Sequence, residues 1–124
     1  MRLSLAPSPQ APEQANHSEG ISAFCPRFQY AVELIGRRWV GAILRTLIGR
    51  PRRFNEIMAA IPGLSDRLLT ERLRELETEG VGRRSVHAER PVRVTYELTE
   101  CGESLEPIIR SVGEWAESWV QART

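Results

Sequence analysis

The side chains best suited to chemistry in this sequence are arginines on one face of a short helical segment. At 100° per residue, the segment from Ser65 to about Glu79 places four polar residues on one side, Arg67, Thr70, Glu71 and Arg74. The opposite side carries Leu69, Leu73 and Leu76. Guanidinium groups form paired hydrogen bonds with phosphate oxygens and with guanine. The segment is therefore predicted to pack through its leucines and to present arginines outward, as a helix that enters a DNA major groove must.

A preceding helix and a tight turn would position this segment. Apolar residues recur at intervals of three and four between residues 53 and 61, which predicts a helix there: Phe54, Ile57, Met58 and Ile61. The run Pro62-Gly63-Leu64 ends that helix, and the Ser65 hydroxyl is placed to cap the next one. Gly80 ends the second helix. Two helices joined by so short a turn predict a helix-turn-helix.

A β-hairpin is predicted to follow directly. Val92, Val94, Tyr96 and Leu98 alternate with Arg93, Thr95 and Glu97, which predicts a strand that buries its first set and exposes its second. The partner strand is predicted at about residues 81–87, and residues 88–91 form the tip. A helix-turn-helix followed by a basic hairpin is a winged helix. The predicted fold is therefore mainly α with a small β-hairpin wing and flanking helices.

Several segments resemble the HxlR-type bacterial transcriptional regulators, which are relatives of the MarR regulators. The resemblance covers about residues 24–120 and is most specific in the central helical segment. It is carried by Cys25-Pro26, Leu34-Ile35-Gly36-Arg37-Arg38-Trp39, residues 49–57 (GRPRRFNEI), residues 69–77 (LTERLRELE) and Tyr96-Glu97-Leu98-Thr99. Arg38 stands where the family usually has lysine, and Val81-Gly82 where it more often has a bulkier apolar pair. The leading interpretation is a homodimeric transcriptional regulator that binds a pseudo-palindromic double-stranded DNA operator.

The charge distribution agrees with a DNA-binding region at about residues 52–98. Net charge is only +1, but residues 23–94 hold fourteen arginines against eight acids, whereas residues 95–124 hold two against six. We predict base contacts from the helix at 65–79 and phosphate contacts from the flanking arginines and the wing. The predicted DNA-binding residues are Arg52, Arg53, Ser65, Arg67, Thr70, Arg74, Arg83, Arg84 and Arg90.

The flanking segments complete the predicted domain, residues 23–122. Residues 1–22 are rich in proline and serine, which predicts a mobile tail. Phe28, Ala31, Val32 and Ile35 predict an amphipathic helix that ends at Gly36. A second core helix is predicted from Trp39, Ile43, Leu44, Leu47 and Ile48.

The last helix, at about residues 100–122, has more apolar surface than one small domain requires. Thr99 can cap it, and Pro107 predicts a kink or a tightened turn within it. The surplus predicts a dimer interface. In the alternative, Trp115 and Trp119 fold back on the first helix of their own chain. The predicted interface residues are Phe28, Leu105, Ile108, Ile109, Val112, Trp115 and Trp119, with Arg27 or Arg37 pairing the acids at its rim.

The two cysteines lack the CxxC spacing of a redox or metal motif. In some HxlR-type regulators a cysteine before the first helix senses oxidants or electrophiles, and Cys25 matches that position, so an oxidant or small-molecule effector is implied. The alternative is a half-buried, inert Cys25. For Cys101, at the start of the last helix, a thiol pKa lowered by the helix dipole competes with simple burial.

Other functions find little support in the sequence. There is no glycine-rich phosphate loop, no paired catalytic carboxylates and no Ser/His/Asp set, and His17 and His87 have no plausible catalytic companion. We predict no enzyme, no metal, no cofactor and no membrane span, and expect a cytoplasmic protein. A winged helix that binds only other proteins remains the alternative function, because Glu71, Glu75, Glu77 and Glu79 interleave with the arginines.

Overall fold

The computed structural model describes residues 23–121. That part of the chain forms six helices and one two-stranded antiparallel sheet. The elements are α1 (Pro26–Ile35), α2 (Val40–Leu47), α3 (Phe54–Ala60), α4 (Asp66–Thr78), β1 (Gly82–His87), β2 (Arg93–Leu98), α5 (Glu100–Glu103) and α6 (Glu106–Trp119). The predicted winged helix-turn-helix is confirmed, with α3 and α4 within about two residues of their predicted bounds. The predicted mobile tail lies outside the described residues.

The helix α2 contributes four buried apolar residues to the core, Val40, Ile43, Leu44 and Leu47. Ile43, Leu44 and Leu47 of α2 are almost fully buried against side chains of the helix-turn-helix. From α4 come the three leucines that the helical period placed on one face, Leu69, Leu73 and Leu76. Ile57, Leu98 and Ile109 close the core from α3, β2 and α6. Burial of these side chains fixes which face of α4 is left for solvent.

The hairpin departs most clearly from its predicted alternation at Thr95 and Val92. The strands pair from Gly82 opposite Leu98 to His87 opposite Arg93. Thr95, expected on the exposed side, is only 4% exposed, because its hydroxyl meets the His87 ring at 2.9 Å and Ser85 faces it across the sheet. Val92, expected to be buried, precedes β2 and is exposed. The predicted alternation was therefore wrong at Thr95, where a neighbouring side chain covers the outer face of the sheet. It was also wrong at Val92, which lies before the strand begins.

Backbone segments pack closely where the end of α4 meets the start of α5. Gly80 ends α4 with φ +80°, a conformation that glycine adopts without strain. The Thr99 hydroxyl donates to the carbonyl oxygen of Gly80 at 2.6 Å and accepts from the amide of Gly102 at 3.2 Å, so it caps α5 as predicted. A Cβ at Gly102 would lie 2.2 Å from the carbonyl oxygen of Val81. Only glycine fits there.

The predicted single C-terminal helix is divided in two. The helix α5 ends at Glu103, and α6 begins at Glu106 with Pro107 in its first turn, where proline's missing N–H is not needed. Pro107 therefore starts a new helix rather than kinking one.

The core role predicted for the first helix was wrong. Phe28 and Val32 of α1 are exposed, and only Leu34 is fully buried there. Trp39 lies outside α2, in a left-handed conformation with φ +75°. Its partly buried ring packs over Gly63, where a Cβ would lie 3.3 Å away, and under the Arg38 guanidinium at 5.2 Å. Trp39 thus packs at the turn between α3 and α4 and does not extend the α2 stripe.

Polar contacts join α1, and the segment between α1 and α2, to the C-terminal half of α4 and its C-cap. The Tyr30 hydroxyl donates to the carboxylate of Glu79. Glu75 accepts from Arg37 at 3.0 Å and from Arg72 at 3.3 Å. The Arg72 Nε also donates to the carbonyl oxygen of Arg38 at 2.9 Å. Arg37, expected to pair with acids of the last helix, therefore pairs with α4 of its own chain.

Candidate nucleic-acid interface

The N-terminal half of α4 presents a free arginine to solvent. Ser65 caps the helix, its hydroxyl accepting from the amide of Leu68 at 3.1 Å. The Arg67 side chain is 88% exposed, and its ion pair with Glu71 is loose at 3.6 Å. The Thr70 hydroxyl donates to the carbonyl oxygen of Asp66 at 2.9 Å, which leaves its lone pairs free to accept. This end of α4 can donate and accept hydrogen bonds without breaking strong internal contacts.

Arg74 has a more acidic surrounding than Arg67. It is exposed and lies about two turns further along α4. It lines a shallow cleft with Arg37, three side chains of α4 and the residue that follows the helix: Glu71, Glu75, Thr78 and Glu79. The three carboxylates reduce the local positive potential. Arg67 is therefore the stronger candidate for contacts with an anionic partner.

The basic run before α3 contains two arginines in different settings. The backbone of Arg52 pairs with Tyr96 in both directions, at 2.9 and 2.7 Å, and its Nε donates to the carbonyl oxygen of Thr46 at 3.1 Å. Arg52 thus links α2 to β2. Arg53 is exposed, and its amide donates to the Glu56 carboxylate at 2.8 Å. Of these two predicted phosphate contacts, Arg53 has the freer side chain.

The wing carries four arginines with different partners. Arg84 and Arg90 are exposed, and Arg90 is at the tip, before a cis bond to Pro91. Arg83 is paired with Glu97 across the strands at 2.9 Å. Arg93 donates to both carboxylate oxygens of Glu89, at 2.9 and 3.4 Å. Sequence reasoning did not assign Arg93 or Glu89 to the site, although their spacing of four residues across a turn could have suggested a pair.

An apolar surface lies on α1 and α6. Trp115 is 61% exposed and Trp119 73%, so the alternative in which they fold back on their own chain is wrong. Ile108 and Val112 of α6 and Phe28 of α1 are also exposed. Ile109 and Leu105, predicted at the same interface, instead pack in the core of their own chain. The exposed set is larger than the isolated apolar side chains usual on a protein surface.

The two cysteines have different environments. Cys25 is exposed and immediately precedes α1, so the half-buried alternative for it was wrong. Cys101 is half-buried, and its burial raises the pKa of the thiol, because the charged thiolate loses solvation. Of the two alternatives for Cys101, burial rather than the helix dipole therefore applies. No group of side chains within residues 23–121 could hold a metal ion.

No helix among residues 23–121 is long and apolar enough to cross a membrane.

Comparisons with known proteins agree with this geometry. The HTH-type transcriptional regulator YvaP of Bacillus subtilis strain 168 is 48% identical over 99 residues, which cover 80% of this chain and 92% of YvaP. The redox regulator HypR in its oxidised form superposes with a TM-score of 0.74 at 39% identity, covering 79% of this chain and all of that one. Diamide-treated YodB of B. subtilis gives a TM-score of 0.68 at 39% identity, covering 82% of this chain and all of that one.

The wider relations point the same way. A structure described as a MarR family regulator from Porphyromonas gingivalis W83 matches with a TM-score of 0.72 at 28% identity, covering 81% of this chain and 97% of that one. Nothing in these comparisons favours a winged helix that binds only proteins. The family model for the HxlR-like helix-turn-helix matches residues 34–124. The chain therefore belongs to the HxlR-like helix-turn-helix family of transcriptional regulators.

Proposed function

We propose that this regulator binds a pseudo-palindromic operator as a homodimer, with α4 in the major groove and the β1–β2 wing on the flanking backbone. The observation that carries the proposal is that α4 is buried on one face and exposed on the other. Its leucines hold it in the core, while Arg67 and Thr70 are exposed in its N-terminal half. A helix-turn-helix places that end of its second helix against the base edges.

The proposed contacts divide into two classes. Arg67, Thr70 and Arg74 read bases. Arg53, Arg84 and Arg90 hold phosphates, because they lie outside α4 and their side chains are exposed. We assign Arg83 a weaker phosphate role, since Glu97 competes for it, and Arg52 and Ser65 mainly structural roles.

Titration of labelled DNA tests this assignment. The probes are a duplex from upstream of the protein's own gene and a scrambled duplex of equal length and composition, each over a salt series. We expect tighter binding to the upstream duplex and a logarithm of affinity that falls linearly with the logarithm of salt concentration. Absence of binding to either duplex at low salt would contradict the proposal.

A homodimer gives this site the affinity that one protomer lacks. The exposed apolar residues of α1 and α6 are the candidate interface: Phe28, Val32, Ile108, Val112, Trp115 and Trp119. Tryptophans are common hot spots at protein interfaces. Joining two half-sites through such an interface raises affinity by effective concentration, without a new type of contact.

An oxidant or electrophile is the proposed effector, and Cys25 its target. The solved relatives support this, because YodB has been determined after diamide treatment and with a quinone bound. In this chain the Cys25 thiol is exposed, as a reactive cysteine must be.

Oxidant treatment tests the role of Cys25. Diamide or a quinone should change the operator affinity of the native protein and leave that of Cys25→Ser unchanged, while Cys101→Ser responds as the native protein does. An operator affinity that is unaffected by either reagent in the native protein would remove Cys25 as the sensor.

A further inference from the structure

We propose that the cleft between the start of α3 and the wing is a phosphate site for the DNA backbone, formed by Arg53 and Arg93 and occupied by Glu89 when no DNA is bound. The inference rests on the DNA binding proposed above and adds two residues to it. Glu89 would act as an internal competitor for the phosphate, so that DNA must displace its carboxylate.

The cleft has the composition of an anion site. It encloses about 250 Å³ and is lined by Arg53, Glu89 and residues 91–94. Arg93 is the first residue of β2, paired in register with His87, so the sheet fixes its backbone. Arg53 immediately precedes α3, whose backbone is anchored through Arg52 to β2. Two arginines on fixed backbone therefore line the cleft together with one carboxylate, and Arg93 is the one in contact with it.

The contact between Arg93 and Glu89 has the form of a phosphate contact. The Nη2 and Nε atoms of Arg93 donate to the two oxygens of Glu89, at 2.9 and 3.4 Å. A DNA phosphate offers a similar pair of oxygens to a guanidinium. The carboxylate thus takes the place that a phosphate would occupy.

The Glu89 carboxylate is charged, but its ion pair with Arg93 is weak. The pKa of Glu89 is lowered, first by the hydrogen bond from Arg93 and its charge, and also by the charges of His87 and Arg53, so Glu89 is ionised at neutral pH. The Glu89 side chain is 53% exposed and that of Arg93 36% exposed. Ion pairs this open to water add little stability, so a phosphate can replace the carboxylate at small cost.

Substitution of Glu89 tests the proposal on the full chain. In Glu89→Gln the competitor loses its charge, so affinity for the upstream and the scrambled duplex should rise together. Because the net positive charge that the cleft presents to DNA rises by one, the salt slope should steepen by up to about one unit. Adding Arg93→Gln to Glu89→Gln should remove both gains.

A matched control separates a local site from general charge. Glu100→Gln makes the same change in net charge at an exposed residue of α5, away from the cleft, and should alter affinity and slope less. Weaker binding by Glu89→Gln would overturn the proposal and show that Glu89 instead orients the wing. An unchanged affinity and slope would also overturn it. Failure of the native protein to bind either duplex would instead refute the proposed function.

Discussion

Arg67 and Arg90 differ in what surrounds them, and their substitutions should differ accordingly. Arg67 lies on the outer face of α4, whereas Arg90 is at the wing tip. Arg67→Ala should cost about 1–3 kcal/mol on the operator and reduce the preference over scrambled DNA. Arg90→Ala should weaken both duplexes alike and lower the salt slope by about one unit. Both are measured by the same salt titrations.

The two arginines control for each other, since each substitution removes one exposed guanidinium. If Arg67→Ala weakened operator and scrambled DNA equally, α4 would contact the backbone rather than the bases.

Glu56 should make the stability of α3 depend on pH. Its pKa is lowered, first by the hydrogen bond from the Arg53 amide and then by the charges of Arg53, Arg50 and Arg52. A carboxylate with a lowered folded-state pKa stabilises the fold above its unfolded value of about 4.5 and loses that contribution as pH falls through the folded pKa.

Urea unfolding of the native protein and Glu56→Gln at several pH values measures this contribution. Glutamine keeps an acceptor for the Arg53 amide but has no charge. We expect the native protein to be the more stable above pH 4.5 and the difference to vanish in stronger acid. A difference that is independent of pH would show that the charge of Glu56 does not contribute.

The junction of α4, β1 and α5 should not tolerate a side chain at Gly102. The Cβ of Gly102→Ala would overlap the carbonyl oxygen of Val81, so backbone must move, at about 1–3 kcal/mol or more. Gly41→Ala is the control, because a Cβ at Gly41 meets nothing within 4 Å and alanine favours the helix. Denaturant unfolding should show a lower free energy of unfolding for Gly102→Ala and no loss for Gly41→Ala. Equal stabilities of the two variants would contradict the packing described here.

Elements with a strong apolar period were predictable, and those set by distant contacts were not. The leucines of α4, the Ser65 cap and Gly80 are local signals, and they located the recognition helix within about two residues. Local sequence could not show that Glu75 holds Arg37, that Thr46 holds Arg52, or that His87 covers Thr95. Each depends on a residue brought close only by the fold. Periodicity likewise shows that α1 has an apolar face, not whether its own chain covers that face.

The assembled molecule should depend on the two exposed tryptophans of α6. Trp115→Ala with Trp119→Ala should give a monomer by sedimentation and lose operator binding, because each buried interface tryptophan is worth ~2 kcal/mol or more. Both side chains lie outside the core of the protomer. Helical circular dichroism should therefore remain.

Ile109→Ala is the matched control on the same helix. Ile109 lies in the protomer core, so its truncation should lower thermal stability while the protein still dimerises. A tryptophan double variant that stayed dimeric would place the interface elsewhere.

The contacts of Tyr30 with Glu79 and of Arg37 with Glu75 affect how α4 is oriented in the proposed dimer. Because Tyr30 donates to Glu79 and Arg37 pairs with Glu75, we expect a displacement of α1 to move α4 with it. In the proposed dimer, a partner that grips the exposed face of α1 would then also set the angle of α4. A small rotation where the two protomers meet would change the separation of the two recognition helices without unfolding either. The operator spacing that the dimer accepts would be determined far from any base pair.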